Sequence, residues 1–165
     1  MTHPKQTSPH GSLVVLSTMK DEGPFVVEWV AHHLALGFTE LMVYTNDCSD
    51  GTDTLLKRME AMGTGVHHRE NVIPKGMKPH PSMLKSAAEE PLIVNSDWVL
   101  VIDADEFMVI NHPSGTLDGL VTDLNAMGAH AMVMTWRIFG SSGVRDWSRA
   151  PITDQFTRAA PEFWN

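Results

Sequence analysis

The chain has 165 residues, 42% of them hydrophobic and 19% charged, the balance of one soluble globular domain rather than of a disordered segment. Twelve Lys plus Arg stand against 20 Asp plus Glu, and the resulting net charge of -8 weighs against an electrostatic grip on nucleic acid or anionic lipid. No apolar run approaches the roughly 18 residues that span a bilayer, the polar first ten residues lack the core of a secretory signal, and the single Cys48 has no internal disulfide partner. A cytoplasmic protein is therefore expected, with peripheral membrane association left open. The nine histidines include no pair at the i, i+4 spacing of a helical zinc site and read as surface or packing residues.

In chain order, residues 1–11 are polar and Pro-containing and read as a flexible leader, and residues 12–165 as one domain. Leu13-Val14-Val15-Leu16 is a short apolar run of the kind found in a strand buried on both faces. After the polar stretch from Ser17 to Gly23, Pro24 suits a helix start, and Phe25, Trp29, Val30, His33 and Leu34 recur at helical spacing up to a stop at Gly37. The unit repeats. Leu41 to Tyr44 reads as a strand, Thr45 to Gly51 as a polar turn, Thr52 or Asp53 as an N-cap, and Leu55, Leu56, Met59 and Met62 as a helical stripe closed by Gly63. A weaker strand is expected near Gly65 to Arg69, and a Pro-rich connection then leads to a helix over Ser82 to Glu90. The strongest strand, Trp98 to Ile102, runs into Asp103-Ala104-Asp105-Glu106-Phe107. A helix over Gly115 to Gly128, entered at Thr116 or Asp118, and a further buried strand, Ala131 to Trp136, complete the pattern.

Strands alternating with helices predict an α/β fold with a mostly parallel sheet. In such sheets ligands bind beyond the carboxyl ends of the strands. The polar segments Lys20-Asp21-Glu22, Asn46 to Asp50 and Asp103 to Glu106 all follow strands and should share that edge. Alternation along a strand would turn Asp103 and Asp105 to one side, a hard oxygen site for Mg²⁺ or Mn²⁺ completed by phosphates. Alone, an Asp-x-Asp pair better suits a solvated strand end; the continuous apolar strand before it, the adjacent Glu106 and the two other polar strand ends favour the metal site. Asn46 to Thr52 likewise suits an ordinary Asx-rich turn, although Asp47 can cap a turn and still bond a base or ribose. Lys20 could neutralise phosphate. No Gly-x-Gly-x-x-Gly fingerprint and no Walker loop occurs.

Met19 to Gly23, Glu28-Trp29, Leu36-Gly37, Asn46 to Thr52 and Val101 to Phe107, taken in order, resemble the family 2 glycosyltransferases. More narrowly they are similar to a subgroup close to family 92, in which Asp-x-Asp-Glu-Phe follows the apolar strand, and Trp136 to Gly143 is similar to that subgroup's next strand and loop. The resemblance spans roughly residues 12–158. It implies a GT-A (Rossmann-like) fold, a nucleotide-diphosphate sugar donor, a glycan, lipid-linked or protein acceptor, and Mn²⁺ or Mg²⁺ at Asp103 and Asp105. It also implies a donor site at Thr18, Lys20, Glu22, Asn46, Asp47, Asp50 and Asp103. Such enzymes usually invert the anomeric centre with a carboxylate base beyond the metal motif. Asp146, after the Gly140 to Gly143 loop, is the candidate base, with a surface aspartate as the alternative. Residues 106–165 are fewer than these enzymes normally use for acceptor binding, so the domain is expected to be short at its C-terminal end. Trp147, Phe156 and Trp164 could stack on a sugar or fill the core, and Arg137 could pair with a carboxylate or a phosphate. Two other classes stand beside transfer: a transferase-like domain that binds donor without turnover, and a nucleotidyltransferase.

Overall fold

The computed structural model describes residues 6–161, which fall into two compact units, 6–127 and 128–161. The first is an α/β unit. Four strands, β1 (Leu13–Met19), β2 (Glu40–Thr45), β3 (Val66–Glu70) and β4 (Trp98–Val101), form one all-parallel sheet in the order β3-β2-β1-β4. The helices are α1 (Val26–Leu36), α2 (Thr52–Ala61), α3 (Pro79–Ala87), a single turn α4 (Pro91–Val94), and α5 (Leu117–Ala126).

Alternation along β1 explains the layers. Leu13, Val15 and Met19 face a core built with Val26, Trp29 and Val30 of α1, Leu56 of α2, and Leu117 and Val121 of α5. Val14 and Leu16 face the opposite core, with Met83 and Ala87 of α3. Both faces are thus covered, and for this reason the central strands are continuously apolar rather than alternating. Among the described residues β4 is an edge strand, paired with β1 through Leu13↔Trp98 to Leu16↔Val101.

Several boundaries differ from the pattern read in the sequence. Pro24 lies in a turn ahead of α1, and the N–H groups of Phe25, the N-cap, and Val26, the first helical residue, donate to the Glu22 carbonyl. Gly51, with φ 92, is the N-cap of α2, and Thr52 is the first helical residue, its hydroxyl engaged elsewhere. Of the prolines read as a connection before the third helix, Pro74 lies in one, whereas Pro79 and Pro81 belong to α3, which Pro79 opens, where a missing N–H costs nothing. Thr116 caps α5 as anticipated, accepting from the Gly119 N–H at 3.1 Å. Residues 6–11 of the polar leader carry contacts of their own: Gln6 donates to the Leu34 carbonyl, and His10 Nε2 lies 2.9 Å from Asp118. Residues 1–5 are outside the described range.

The second unit corrects one expectation outright. Ala131 to Trp136 is not a buried strand: it has no regular secondary structure, and Val133 and Trp136 are 94% and 75% exposed. Apolar side chains favour a strand only when a neighbour pairs its N–H and C=O groups, and the unit's backbone pairing lies further on. There Phe139 bridges Ala159, Gly140 donates to the Arg158 carbonyl and Ala160 donates to that of Ile138. The Ser142 hydroxyl accepts from Thr157 and Arg158, and a short helix, α6, covers Ile152–Gln155.

Candidate functional site

The strand order places a topological switch between β1 and β4, because β2 and β3 extend the sheet on one side and β4 returns to the other. At such a point the loops diverge and leave a crevice at the carboxyl edge. Three loops of the sequence reading meet here.

The loops after β1 and β2 are locked together. The Ser49 N–H donates to Asp21 Oδ1 at 2.7 Å, the Gly23 N–H to Asp50 Oδ2 at 2.7 Å, and the Glu22 N–H to the Thr52 hydroxyl at 2.8 Å. That hydroxyl in turn donates to Asp50 Oδ1 at 2.6 Å. Asp21 and Asp47 both hold positive φ, 57° and 49°, a conformation that aspartate tolerates better than most residues. A sequence rich in Asp, Asn, Ser and Gly is therefore what this tight double loop requires.

The third loop does not have the geometry expected of it. β4 ends at Val101, so Asp103 and Asp105 lie beyond the strand, Ala104 and Asp105 in a turn, and strand alternation does not orient them. The turn closes on itself: the Glu106 N–H donates to the Asp103 carbonyl, and the Asp103 N–H donates to the Glu106 carboxylate at 3.0 Å. Both aspartates are exposed and Glu106 is half-buried.

Electrostatics tie this turn to the other two loops. Burial pushes the Glu22 carboxyl above its ordinary pKa, and the negative charges of Asp105, Asp50 and Asp21 push it further in the same direction. Some desolvation also opposes the charge on the exposed Asp50, but hydrogen bonds from Thr52 and Gly23 outweigh it and leave that carboxyl below its ordinary value. The edge is thus a focus of negative charge that disfavours the charged form of Glu22. These groups act on one another at a distance. Among the described residues no group of three or more His, Cys, Asp or Glu side chains is assembled to hold a metal ion. The donor set fits an ion held by one or two exposed carboxylates and completed by a ligand's oxygens, and it does not fit a closed protein cage.

Thr18, near the carboxyl end of β1, is half-buried, and its hydroxyl lies 3.4 Å from the Asn71 amide nitrogen. Lys20 and Asp47 are exposed at the same edge, and the Asn46 amide donates to the Asp47 carboxylate at 3.2 Å. Asp146 is an exposed residue of the second unit, in a bend. Arg137 of that unit donates to the Ala160 carbonyl at 3.0 Å, Trp147 is 69% exposed with Arg149 over its ring, and Trp164 lies outside the described residues.

Asn71 was not singled out from the sequence. It follows β3, its N–H donates to the Thr45 carbonyl, and its side-chain oxygen is buried without a hydrogen-bond partner among the described residues. Its only sequence signal is a polar residue ending the weakest strand. Thr52 and Asp21 were legible as turn residues but not as the bolts between two loops.

Neither a family model nor a curated protein sequence matches the chain. Among solved structures it resembles S. aureus TarS, a glycosyltransferase, with a TM-score of 0.51 and 15% identity over 71% of this chain. The fold is GT-A-like. The chain spans 20% of the length of TarS, and at this identity the likeness carries the GT-A-like fold and neither a subgroup nor a metal motif. Within the GT-A-like unit, no helix among the described residues is long and apolar enough to cross a membrane.

Proposed function

We propose that this chain is the donor-binding part of a metal-dependent glycosyltransferase, taking a nucleotide-diphosphate sugar at the β1/β4 crevice with Mn²⁺ or Mg²⁺ beside Asp103 and Asp105. One observation carries the reading. Loops from three strands of a GT-A-like sheet converge on an edge where Glu22, Asp50, Asp21 and Asp105 crowd negative charge, as a cation-bridged diphosphate site requires and a simple solvated strand end does not. When bound, the cation supplies Lewis-acid stabilisation of the departing diphosphate. The chain's own residues do the rest. The locked Asp21 to Asp50 double loop gives a preformed rim on which Asn46 and Asp47 face a nucleoside, Thr18 lines the β1 side, and Lys20 offers a positive charge to phosphate.

Calorimetric titration of nucleoside diphosphates into the chain, with manganese and with a chelator, tests this. Binding that needs manganese and is lost in Asp103→Ala and Asp105→Ala is expected. Equal binding in chelator, or in Asp103→Ala, would overturn it.

A second reading, donor binding without turnover, draws on Asp146, the candidate base, which is exposed in the other compact unit. Hydrolysis of a nucleotide sugar by this chain with inversion at the anomeric carbon of the released sugar, lost in Asp146→Asn, supports inverting transfer with Asp146 as base. Tight binding with no hydrolysis supports the second reading.

A further inference from the structure

The segment just past the acidic turn, Glu106-Phe107-Met108, is held by one face of α1 at every residue. The Trp29 indole N–H donates to the Glu106 carbonyl at 3.0 Å. His32 Nε2 donates to the Met108 carbonyl at 2.9 Å, and the Met108 N–H donates to His33 Nε2 at 3.4 Å. Between them the Phe107 ring packs edge-on against His32, with centroids 5.1 Å apart, and lies stacked at 6.1 Å from His33.

These are unusual groups to find on the buried stripe of a helix. Trp29 and His33 are fully buried, and a Leu or Phe at either place would fill the core without a polar atom to satisfy. Trp29 Nε1 and His33 Nε2 are spent on the segment after β4. His33 shows how closely the arrangement is set. Its Nδ1 lies 2.8 Å from the Trp29 carbonyl, which can only accept, so the proton sits on Nδ1 and Nε2 is left as the acceptor that Met108 needs. Burial, with the neighbouring His32 adding to it, lowers the His33 pKa to about 4 although the Trp29 carbonyl bond opposes this, so the ring stays neutral in that tautomer at neutral pH.

Resting on the donor-site reading above, we infer that Trp29, His32 and His33 are positioning residues for the metal turn, clamping the backbone of residues 106–108 so that Asp103 and Asp105 are presented in a fixed arrangement. The turn needs such a clamp because it has left the sheet. Past Ile102, whose N–H still reaches the Leu16 carbonyl, no strand pairing among the described residues fixes it. Its internal bonds, Asp103 to Glu106 in both directions, shape the loop without anchoring it. Exposed carboxylates on an unanchored loop would lose conformational freedom on every binding event; on an anchored one that ordering is already complete.

Trp29→Phe tests the clamp while keeping the aromatic ring, and His33→Phe tests it at the second bond. Nucleoside diphosphate affinity is measured for each with manganese and with chelator, alongside urea denaturation. The expected result is a loss of about ten-fold in the manganese-dependent gain of affinity, the scale on which supporting partners act on metal ligands, with chelator affinity unchanged. A merely structural role would lower the denaturation midpoint and leave the manganese gain alone. A wild-type gain in Trp29→Phe, with its hydrogen bond removed, overturns this inference by itself. A wild-type chain showing no manganese gain overturns the donor-site reading and this inference with it.

Discussion

Thr52→Val is the sharpest probe of how the crevice rim is built. The side chain is fully buried, so valine keeps its shape while removing one hydroxyl. That hydroxyl makes one bond between the two loops, accepting from the Glu22 N–H at 2.8 Å, and one within its own, donating to Asp50 Oδ1 at 2.6 Å. A bond to a charged group is worth about 1.5–3 kcal/mol when shielded. Asp50 is exposed and regains water, which brings its share down to the surface scale of about 0.5 kcal/mol. The half-buried Glu22 N–H loses its acceptor at a cost of about 1 kcal/mol. The sum is a destabilisation of about 1–2 kcal/mol at pH 7, or roughly 4 °C for a chain of this size, measured by urea denaturation followed by far-UV circular dichroism. The pH dependence gives a second test. Asp50 has a depressed pKa in the folded state, so the stability it lends is present above the unfolded carboxylate value and is lost as pH falls through the folded one. Thr52→Val weakens that contribution, so the gap between wild type and variant should narrow below about pH 4. Equal stability at pH 7, or a gap that widens in acid, would refute the reasoning.

Two further substitutions test neighbouring parts of the account. Glu22 carries a raised pKa, so its ionised form opposes folding: the penalty is absent below the unfolded carboxylate value and fully present once pH has risen through the folded one. Glu22→Gln should therefore stabilise the free chain at neutral pH, with the gain vanishing in acid, as thermal denaturation across that range will show; a destabilised variant at neutral pH would contradict the crowding of charge. Gly37 ends α1 at φ 112° with its N–H on the Leu34 carbonyl, a conformation that costs a residue with a Cβ about 1–2 kcal/mol. Gly37→Ala should lower the urea midpoint correspondingly, and an unchanged midpoint would show that the turn relaxes.

The sheet was legible because its strands announce themselves in two ways at once. Val14-Val15-Leu16 and Leu41 to Tyr44 are apolar at every position, which only a strand covered on both faces requires, and glycines or polar turns bound them. Gly37 and Thr116 likewise act through local chemistry that one sequence displays. Ala131 to Trp136 shows the limit. Its residues are as apolar as a central strand's, but whether a strand forms depends on a partner that no local pattern specifies. The same holds for the acidic turn. Asp103 and Asp105 were visible as residues at a strand end, whereas the end of pairing at Val101 depends on how far β1 accompanies β4. Nor does the helical spacing of Trp29 and His33 distinguish an apolar stripe from a clamp, because their second partners lie more than 70 positions away.

The central claim is that a cation and a nucleotide diphosphate come together at the carboxyl edge between β1 and β4. Paramagnetic broadening tests it most directly. Manganese is added to the ¹⁵N-labelled chain with and without a nucleoside diphosphate, and amide signals are followed residue by residue. Broadening centred on residues 103–106 and 20–22, much stronger when the nucleotide is present and absent from the Gly63 turn at the opposite edge, is the result expected. Broadening that ignores the nucleotide, or that centres on the surface pairs His10–Asp118 and His112–Asp123, would contradict it.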